Sequence, residues 1–436
     1  MKIGWVAIVA LMAHICQWTF AETWYVDHSV ASSGDGKSRQ TAFKTIQEGI
    51  DAASNGDTVI VAEGTYLESI GLKGKNITLT STDPLAPSVV ANTVIDGNKL
   101  GSVVTFSGRE DETCVLSGFT VRNGKGQYGG GVCGAPPLYM PSRATIQNNI
   151  ISENSAEHWG GGLANCDGAI QNNLIVGNSA EHAGGLHGCG GVIAYNTIRE
   201  NSVRGVAGGL GNCRGSIHDN MIIGNSAGWE GGAMTVCQGT IRNNTIVSNS
   251  ADVGGALAEC SGAIVNCIVW LNTAPNSPQL YATTTPTYSC IQGWTGGGEG
   301  NMDANPQFAD SEYYLSARSP CIDTGINEDW MWVAVDLDDN PRILYGGKSL
   351  RVDMGAYEFE GKCHETLKIG RDAEGCLVLT WASMPEHTWL VWSCLDLTDG
   401  SWDEEATVLS QGETTSWTDP ATGKDSQKFY RIEISQ

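Results

Sequence analysis

The chain has 436 residues, and its 25 lysines and arginines against 48 aspartates and glutamates leave a formal net charge of −23 at pH 7. A surface this acidic disfavours nucleic acid as a partner, because the phosphate backbone would be repelled. A polyanionic sugar would also be repelled, unless a local cation from the protein or Ca²⁺ offsets the field.

The first 21 residues have the pattern of a secretory signal peptide. Lys2 is followed by an apolar run from Ile3 to Ile15 and by small residues that end at Ala21. This run is short for a membrane span, and no later segment is long and apolar enough to cross a bilayer. We therefore expect a secreted or cell-surface protein, cleaved near Ala21, monomeric and without a membrane span.

The segment Thr41–Asn55 predicts a short helix, because Phe43, Ile46 and Ile50 fall on one helical face and Gly56 is a natural stop. Strand-like runs follow it as far as residue 124. A stack of strands exposes apolar core and unpaired edges at its end, so the helix is predicted to cap it.

A repeat of 23 or 24 residues organises the middle of the chain. Each unit has a leucine or methionine, a cysteine three residues later, then two isoleucine positions and an asparagine, separated by turn signals. A repeat of this length without a helical stripe predicts a solenoid with three short strands per coil. The marker cysteines are Cys166, Cys189, Cys213, Cys237 and Cys260.

Stacked coils place each residue about 4.8 Å from its own copy. The isoleucine and asparagine columns should therefore point inward and stack, with amides that hydrogen-bond along the axis. Asparagine also suits the bends, since it tolerates left-handed backbone angles. The two asparagine columns are Asn149, Asn173, Asn196, Asn220 and Asn244, continued by Cys267, and Asn178, Asn201, Asn225, Asn249 and Asn272.

Thirteen cysteines remain after Ala21, so at least one is unpaired or bonds another chain. The five-cysteine column is interpreted as small apolar residues in the core, although coil spacing alone does not exclude disulfides. One thiol per coil makes a row and not a tetrahedral metal pocket. Better disulfide candidates lie outside the coils, at Cys321, Cys363, Cys376 and Cys394.

Two segments carry a family resemblance. Residues Tyr25–Tyr66 (YVDHSVASSGDGKSRQTAFKTIQEGIDAASNGDTVIVAEGTY) resemble the opening of secreted right-handed parallel β-helix proteins of the pectate-lyase-like architecture. Residues Ser319–Phe359 resemble the terminal cap of bacterial members. The resemblance implies an all-β, right-handed parallel β-helix of nine or ten coils over residues 22–360. That superfamily contains lyases, hydrolases, epimerases and adhesins, so no single activity is implied.

One edge of the coils collects polar and aromatic side chains just before the glycines that precede each marker leucine or methionine. In a β-elimination lyase, Arg204 would be the cation on the substrate carboxylate and His182 or His187 the base. The residues between leucine or methionine and cysteine, such as His187–Gly188 and Thr235–Val236, should face outward. An insertion near Pro136–Pro141 should wall one end. Predicted sugar-binding residues are Glu157, His158, Trp159, Glu181, Trp229 and Glu230.

These glutamates and histidines could equally be ordinary residues of a solvated turn. The sequence also lacks, within the coils, the aspartate clusters that β-helix lyases use for Ca²⁺. A Ca²⁺ site is conceivable at Asp336, Asp338 and Asp339, whose spacing is rich in oxygen ligands, although turns stabilised by aspartate side chains explain the run more simply. No other cofactor is implied.

Residues 361–436 are predicted to form a β-sandwich that resembles fibronectin-like modules, because strand-like runs alternate with turns and the coil motif is absent. Its tryptophans would form the core or bind sugar. Two functions stay open for the whole chain. One is a secreted protein that binds, and in a lyase-like version cleaves, a polysaccharide or cell-surface glycan. The other is a non-catalytic adhesin or structural solenoid.

Overall fold

The structure is a computed structural model that describes residues 21–135, 140–344, 346, 349–359, 368–373, 375–382, 388–395, 401–410, 414–420 and 428–434. Its long sheets pair strand to strand in parallel, with one strand per coil in each sheet. The predicted right-handed parallel β-helix with nine or ten coils is confirmed, since two sheets have ten strands and a third has nine. No helix in the described ranges has the length and apolar character of a membrane span.

Two ten-stranded sheets form the first two sides of each coil. Sheet 1 consists of Thr23–Val26, Thr58–Val61, Thr78–Ser81, Val115–Ser117, Thr145–Gln147, Ile170–Gln171, Ile193–Ala194, Ile217–His218, Ile241–Arg242 and Ile264–Val265. Sheet 2 consists of Gly64–Leu67, Thr93–Asp96, Thr120–Arg122, Ile150–Ser152, Leu174–Val176, Thr197–Arg199, Met221–Ile223, Thr245–Val247, Ile268–Trp270 and Cys290–Ile291.

A fourth, five-stranded sheet stands between sheet 2 and the leucine side, and the repeat pattern gave no sign of it. This sheet 3 consists of Lys125–Tyr128, Ser155–Trp159, Ser179–Ala180, Ser202–Val203 and Ser226–Ala227. Sheet 4 consists of Ile70–Gly71, Val104–Thr105, Val132–Cys133, Leu163–Ala164, Leu186–His187, Leu210–Gly211, Met234–Thr235, Leu257–Ala258 and Leu280–Tyr281.

The predicted inward columns are confirmed. Ile175, Ile198 and Ile222 have no exposed surface, and the marker cysteines are buried with free thiols. In the asparagine ladders the side-chain oxygen of one residue accepts two hydrogen bonds from the asparagine one coil earlier. Asn201 Oδ1, for example, accepts from Asn178 N at 2.9 Å and from Asn178 Nδ2 at 3.0 Å.

The left-handed backbone angle falls one residue before each ladder asparagine, not on it. Asn172 precedes Asn173 with φ of 56°, and Glu200 precedes Asn201 with φ of 57°. Left-handed geometry and ladder bonding, which sequence reasoning gave to the same residue, therefore belong to neighbours. Glutamate is tolerated at this left-handed position because the next residue, the ladder asparagine, is held by hydrogen bonds inside the coil.

A helix caps the first coils, as predicted, over Ile46–Ala52, which is shorter than expected. Thr45 and Glu48 form a capping box at its start, and the Glu68 carboxylate accepts from the first two helical N–H groups at 2.9 and 3.1 Å. Lys75 Nζ donates to the carbonyls of Ile50, Asp51 and Ala53 at the other end. Both ends are thus satisfied by residues of the coils. Further helices are Pro87–Asn92 and the 3₁₀ turn Asp329–Val333.

The predicted cap Ser319–Phe359 belongs to a longer segment, residues 313–359 (the outer segment), which packs along the outside of sheets 1 and 2. Ala356 N donates to Thr245 Oγ1 at 3.0 Å, and Ile326 N donates to Asn266 Oδ1 at 2.8 Å. Outward-facing Thr245 is buried as a result. At the C-terminal end of the β-helix, Trp294 packs against the core of the coils.

A buried charge cluster fastens this segment to the coils. Arg342 is fully buried, and its guanidinium reaches Asp219 Oδ1 at 3.5 Å and Glu358 Oε1 at 3.2 Å. Burial raises the pKa of Asp336, of Asp353 to about 7, and of Glu358. One arginine therefore faces more acidic groups than it can neutralise. As a result, these carboxyl groups hold their protons to higher pH in the folded protein than in the unfolded chain.

This cluster predicts a dependence of stability on pH. The ordinary pKa of Asp353 is 3.8 and its folded value is about 7, so between these values the folded state holds a proton that the unfolded chain has released. The free energy of unfolding should therefore fall as the pH rises through about 4 to 7, by on the order of a few kcal/mol. Urea unfolding at a series of pH values measures this slope.

The variant Asp353→Asn removes the titrating group, and its single side-chain oxygen keeps one of the two bonds, since Asp323 N donates to Oδ1 and Phe359 N to Oδ2. The lost bond lowers stability at every pH and so leaves the slope to report the titration. The variant should lose much of the slope. His187 acts in the opposite direction, since burial lowers its pKa and its contribution is lost as the pH falls below about 6.5. Wild type and variant both contain His187, so its contribution to the slope is the same in each and drops out of their difference. An unchanged slope in Asp353→Asn would show that Asp353 titrates normally.

Among its described residues, the C-terminal module forms two three-stranded antiparallel sheets, as expected for a small β-sandwich. Leu379, Trp381 and Val391 form its core, against which Trp389 and Trp417 pack. These three tryptophans therefore take part in the core of the module. The strands are Lys368–Arg371, Leu377–Ala382 and Thr414–Thr418 in one sheet, and Thr388–Cys394, Asp403–Leu409 and Phe429–Ile434 in the other.

Candidate functional site

The candidate site follows the edge where the chain leaves sheet 3 and turns into sheet 4. In successive coils Tyr128 pairs with Trp159, and Trp159 pairs with His182. Parallel in-register pairing stacks these three residues on one line. The edge predicted from the repeat is therefore a real feature of the coil, and it begins one coil earlier than predicted, at Tyr128.

Aromatic rings cover this edge. The rings of Trp159 and His187 are stacked, with centroids 5.2 Å apart and planes 18° apart. Tyr128 lies 5.3 Å from Trp159 and 5.4 Å from His158. Trp159 keeps 38% of its surface exposed although it is packed from behind. The cluster thus presents an oriented aromatic face to solvent.

A second exposed ring stands further along the edge. Trp229 is 61% exposed and meets His182 edge to face, with ring centroids 6.3 Å apart. The two tryptophans therefore lie on either side of the histidines, and a ligand that follows the edge would meet both.

A cleft of about 290 Å³ opens beside Trp159, with His182, His187, Asn212 and Thr235 among its lining residues. It exists partly because Gly211, the partner of His187 in the next coil, has no side chain. A Cβ atom at Gly211 would lie 2.9 Å from the Cβ of Ala183. The backbone between these turns is too close for a larger residue there.

Residues between leucine or methionine and cysteine were expected to face outward into solvent. These residues lie outside the apolar core, as expected, but the first residue of most pairs is covered by the preceding turn. His187 is the exception, because it is large enough to reach the cleft and remains half-buried. Burial lowers the pKa of its imidazole, so the ring is neutral at pH 7. The covered residues are Ala164, Gly211, Thr235 and Ala258.

His182 has a role different from the predicted base. Its Nδ1 accepts a hydrogen bond from Val206 N at 3.2 Å. This bond assigns the neutral ring the tautomer with its proton on Nε2. His182 can therefore donate a hydrogen bond from Nε2, whereas its lone pair is occupied by the backbone.

Arg204 lies in an adjoining cleft of about 400 Å³, together with Glu157 and Glu181 and the hydroxyls of Ser179 and Ser202. The three residues predicted for lyase chemistry are thus divided between two clefts, with both histidines in one and the arginine in the other. Two carboxylates share the space of Arg204 and offset its charge.

Two other predicted site residues have the following positions. The backbone carbonyl of Glu230 accepts from Thr235 Oγ1 at 3.1 Å and from Ala207 N at 2.9 Å, and the residue is half-buried. His158 is exposed beside Tyr128. The predicted wall at Pro136–Pro141 has its residues 136–139 outside the described ranges.

The aspartate run proposed for Ca²⁺ is occupied by hydrogen bonds. Asp336 Oδ1 accepts from Asp338 N and Asn340 N, both at 2.9 Å, and Asp338 Oδ2 accepts from the Tyr314 hydroxyl at 2.6 Å. Over the described ranges, no three His, Cys, Asp or Glu side chains are arranged to hold a metal ion. The turn is therefore held by its own amides and needs no cation.

Tyr128 was missed by sequence reasoning, although a signal existed. It directly precedes Gly129–Gly131 as Trp159 precedes Gly160–Gly162, so the two share one phase of the repeat. The insertion that follows Tyr128 obscured the match.

No protein-family model matches the chain, and no curated protein matches it. Among solved structures, pectate lyase Pel9A is 12% identical with a TM-score of 0.43, over 78% of this chain and 97% of that one. XylC, solved in complex with xylose, is 12% identical with a TM-score of 0.33, over 94% of this chain and all of that one. Likeness at this level assigns no activity, and function has to be argued from the site itself.

Proposed function

We propose that the protein binds a neutral polysaccharide along the edge that carries Tyr128, Trp159 and Trp229. The observation that carries the proposal is the stacked pair of Trp159 and His187, which holds an exposed indole face at a cleft. Exposed aromatic faces are costly unless a ligand covers them, and sugar rings present apolar faces of matching size. His182 Nε2 and Asn212 supply hydrogen-bonding groups for the hydroxyls.

The charge of the edge selects the class of sugar. Glu157 and Glu181 are exposed in the cleft next to the aromatic one, and Arg204 faces both. The whole chain carries a net charge of −23. A chain of uronates would be repelled by these carboxylates, whereas neutral sugars pay no such cost. We therefore propose neutral polysaccharides and not pectin-like substrates.

Binding without cleavage is the version that the geometry favours. A β-elimination lyase needs a cation on the substrate carboxylate and a base at the adjacent carbon. Arg204 is in one cleft and the histidines are in the other, and the lone pair of His182 is engaged by Val206 N. A non-catalytic surface protein that recognises glycans fits the same observations. A pure spacer would have no use for an open aromatic cleft.

The test is the replacement of each exposed ring. Trp159→Ala and Trp229→Ala should each weaken binding by about 1–3 kcal/mol, by analogy with aromatic stacking on bases, because the sugar loses a stacking face. Affinity electrophoresis and calorimetry against a panel of neutral and uronate polysaccharides measure it. Trp332→Ala is the matched control, since Trp332 is 59% exposed but lies in the 3₁₀ turn of the outer segment.

Binding that survives both edge substitutions, or falls equally in Trp332→Ala, would place the glycan elsewhere. Recognition of uronates alone would contradict the proposed sugar class. The same panel, read for unsaturated uronates and for new reducing ends, would detect cleavage directly and so distinguish an enzyme from a binding protein.

A further inference from the structure

Two buried cysteines meet where the last coil contacts the outer segment 313–359. Cys290 begins the last strand of sheet 2, and Cys321 belongs to the outer segment. Neither has exposed surface, and both lie in one apolar cluster with Ile268, Leu315 and Met354. This cluster is separate from the continuous core inside the coils.

The two side chains lie together in this cluster and interact, and neither is bonded to another cysteine in the structure. Their backbones are held on both sides. Cys290 N donates to the Cys267 carbonyl at 2.8 Å, and Met354 N donates to the Cys321 carbonyl at 3.1 Å. Backbone hydrogen bonds therefore fix the position of each cysteine on its own element.

The five-cysteine column has adjacent thiols too, but its geometry differs. Its members occupy the same position in successive parallel coils, so their Cβ atoms keep the coil spacing of about 4.8 Å. A disulfide needs Cβ atoms about 3.5–4.5 Å apart. Donation to carbonyls does not distinguish the two sets, since Cys189 Sγ donates to the His187 carbonyl at 3.5 Å and Cys290 Sγ to the Ala304 carbonyl at 3.0 Å. Cys290 and Cys321 come from different elements, and no such spacing holds them apart.

We propose that Cys290 and Cys321 are a disulfide site that ties the last coil to the outer segment. While the chain folds, before the cluster buries the two thiols, the Cys290 thiolate would attack a small disulfide oxidant such as oxidised glutathione, and Cys321 would then displace the second glutathione from the mixed disulfide. One S–S bond forms in the protein, one breaks in the oxidant, and the two thiol protons end on two reduced glutathione molecules.

The first test is peptide mapping of the wild-type chain after folding with oxidised glutathione. Free thiols are alkylated in denaturant, and trypsin cuts at Arg318, between the two cysteines. We expect a non-reduced peptide pair that joins Cys290 to Cys321, with the column cysteines alkylated. Alkylation of both Cys290 and Cys321 in this material, or glutathione retained on either, would overturn the proposal.

The second test is thermal unfolding with and without a thiol reductant. Reductant should lower the Tm of the oxidised wild type. The shift should vanish in the double variant Cys290→Ala/Cys321→Ala and persist in the matched control Cys189→Ala/Cys213→Ala. A shift that disappears in the column control instead would assign the bond to the column. If the double variant does not fold, the peptide map of the wild type still decides.

Discussion

Replacing Arg342 by methionine is expected to lower the free energy of unfolding by about 3–5 kcal/mol at pH 8, because it leaves buried carboxylates without their cation. Arg342 contacts Asp219 of the coils and Glu358 of the outer segment, and it also donates to the Gly355 carbonyl at 3.0 Å. Methionine keeps most of the volume, so the loss reports charge and hydrogen bonding. Chemical denaturation monitored by tryptophan fluorescence measures it.

The deficit should shrink at pH 5, where the raised pKa values let the cluster take up protons. Arg318→Met is the control, since Arg318 is exposed in the same segment and should change stability by no more than about 0.5 kcal/mol. A loss below about 1 kcal/mol for Arg342→Met at pH 8 would mean that the cluster is neutral when folded.

Replacing Asn201 by alanine should cost about 3–5 kcal/mol, because one amide satisfies four buried groups. Its Oδ1 accepts from the backbone and the side chain of Asn178, and its Nδ2 donates to the Ile175 carbonyl and to Asn225 Oδ1. All of these partners would be left in the core without water. Urea denaturation gives the change in free energy.

Asn92→Ala provides the comparison, because Asn92 is exposed at the end of the short helix Pro87–Asn92. It should leave stability within about 0.5 kcal/mol of wild type. If Asn201→Ala were as mild as this control, water would have to enter the ladder and replace the amide.

The coil architecture could be predicted because its cause is periodic. Each ladder asparagine and each core isoleucine repeats one local requirement, and repetition makes a requirement visible in a single sequence. Sheet 3 was not visible, because three of its five strands are two-residue pairs, Ser179–Ala180, Ser202–Val203 and Ser226–Ala227, which are too short to show an apolar pattern. The outer position of segment 313–359 was also hidden. The position of this segment depends on single contacts, such as that of Ala356 with Thr245, which no sequence pattern predicts.

The sequence predicted which residues lie on the edge, but not how their side chains are arranged. Coil stacking brought Trp159, His182 and His187 together, as the repeat phase implied. It could not show that Arg204 turns into the neighbouring cleft, since side chains on one edge lean to either side of the turn. The tautomer of His182 depends on Val206 N, a backbone group that composition and spacing do not report.

Both asparagine ladders run in one direction, because each side-chain oxygen accepts from the asparagine one coil closer to the N-terminus, and a different residue closes the C-terminal end of each ladder. Gln279 accepts from Asn272 Nδ2 at 2.8 Å, and Ser289 Oγ accepts from Cys267 N at 3.1 Å. Any two neighbouring inner coils therefore present the same junction, and a whole unit removed or duplicated would recreate it unchanged. Evolution can therefore lengthen or shorten the solenoid by one whole coil at a time. The aromatic edge and the residues that close the ladders stay intact in such a change.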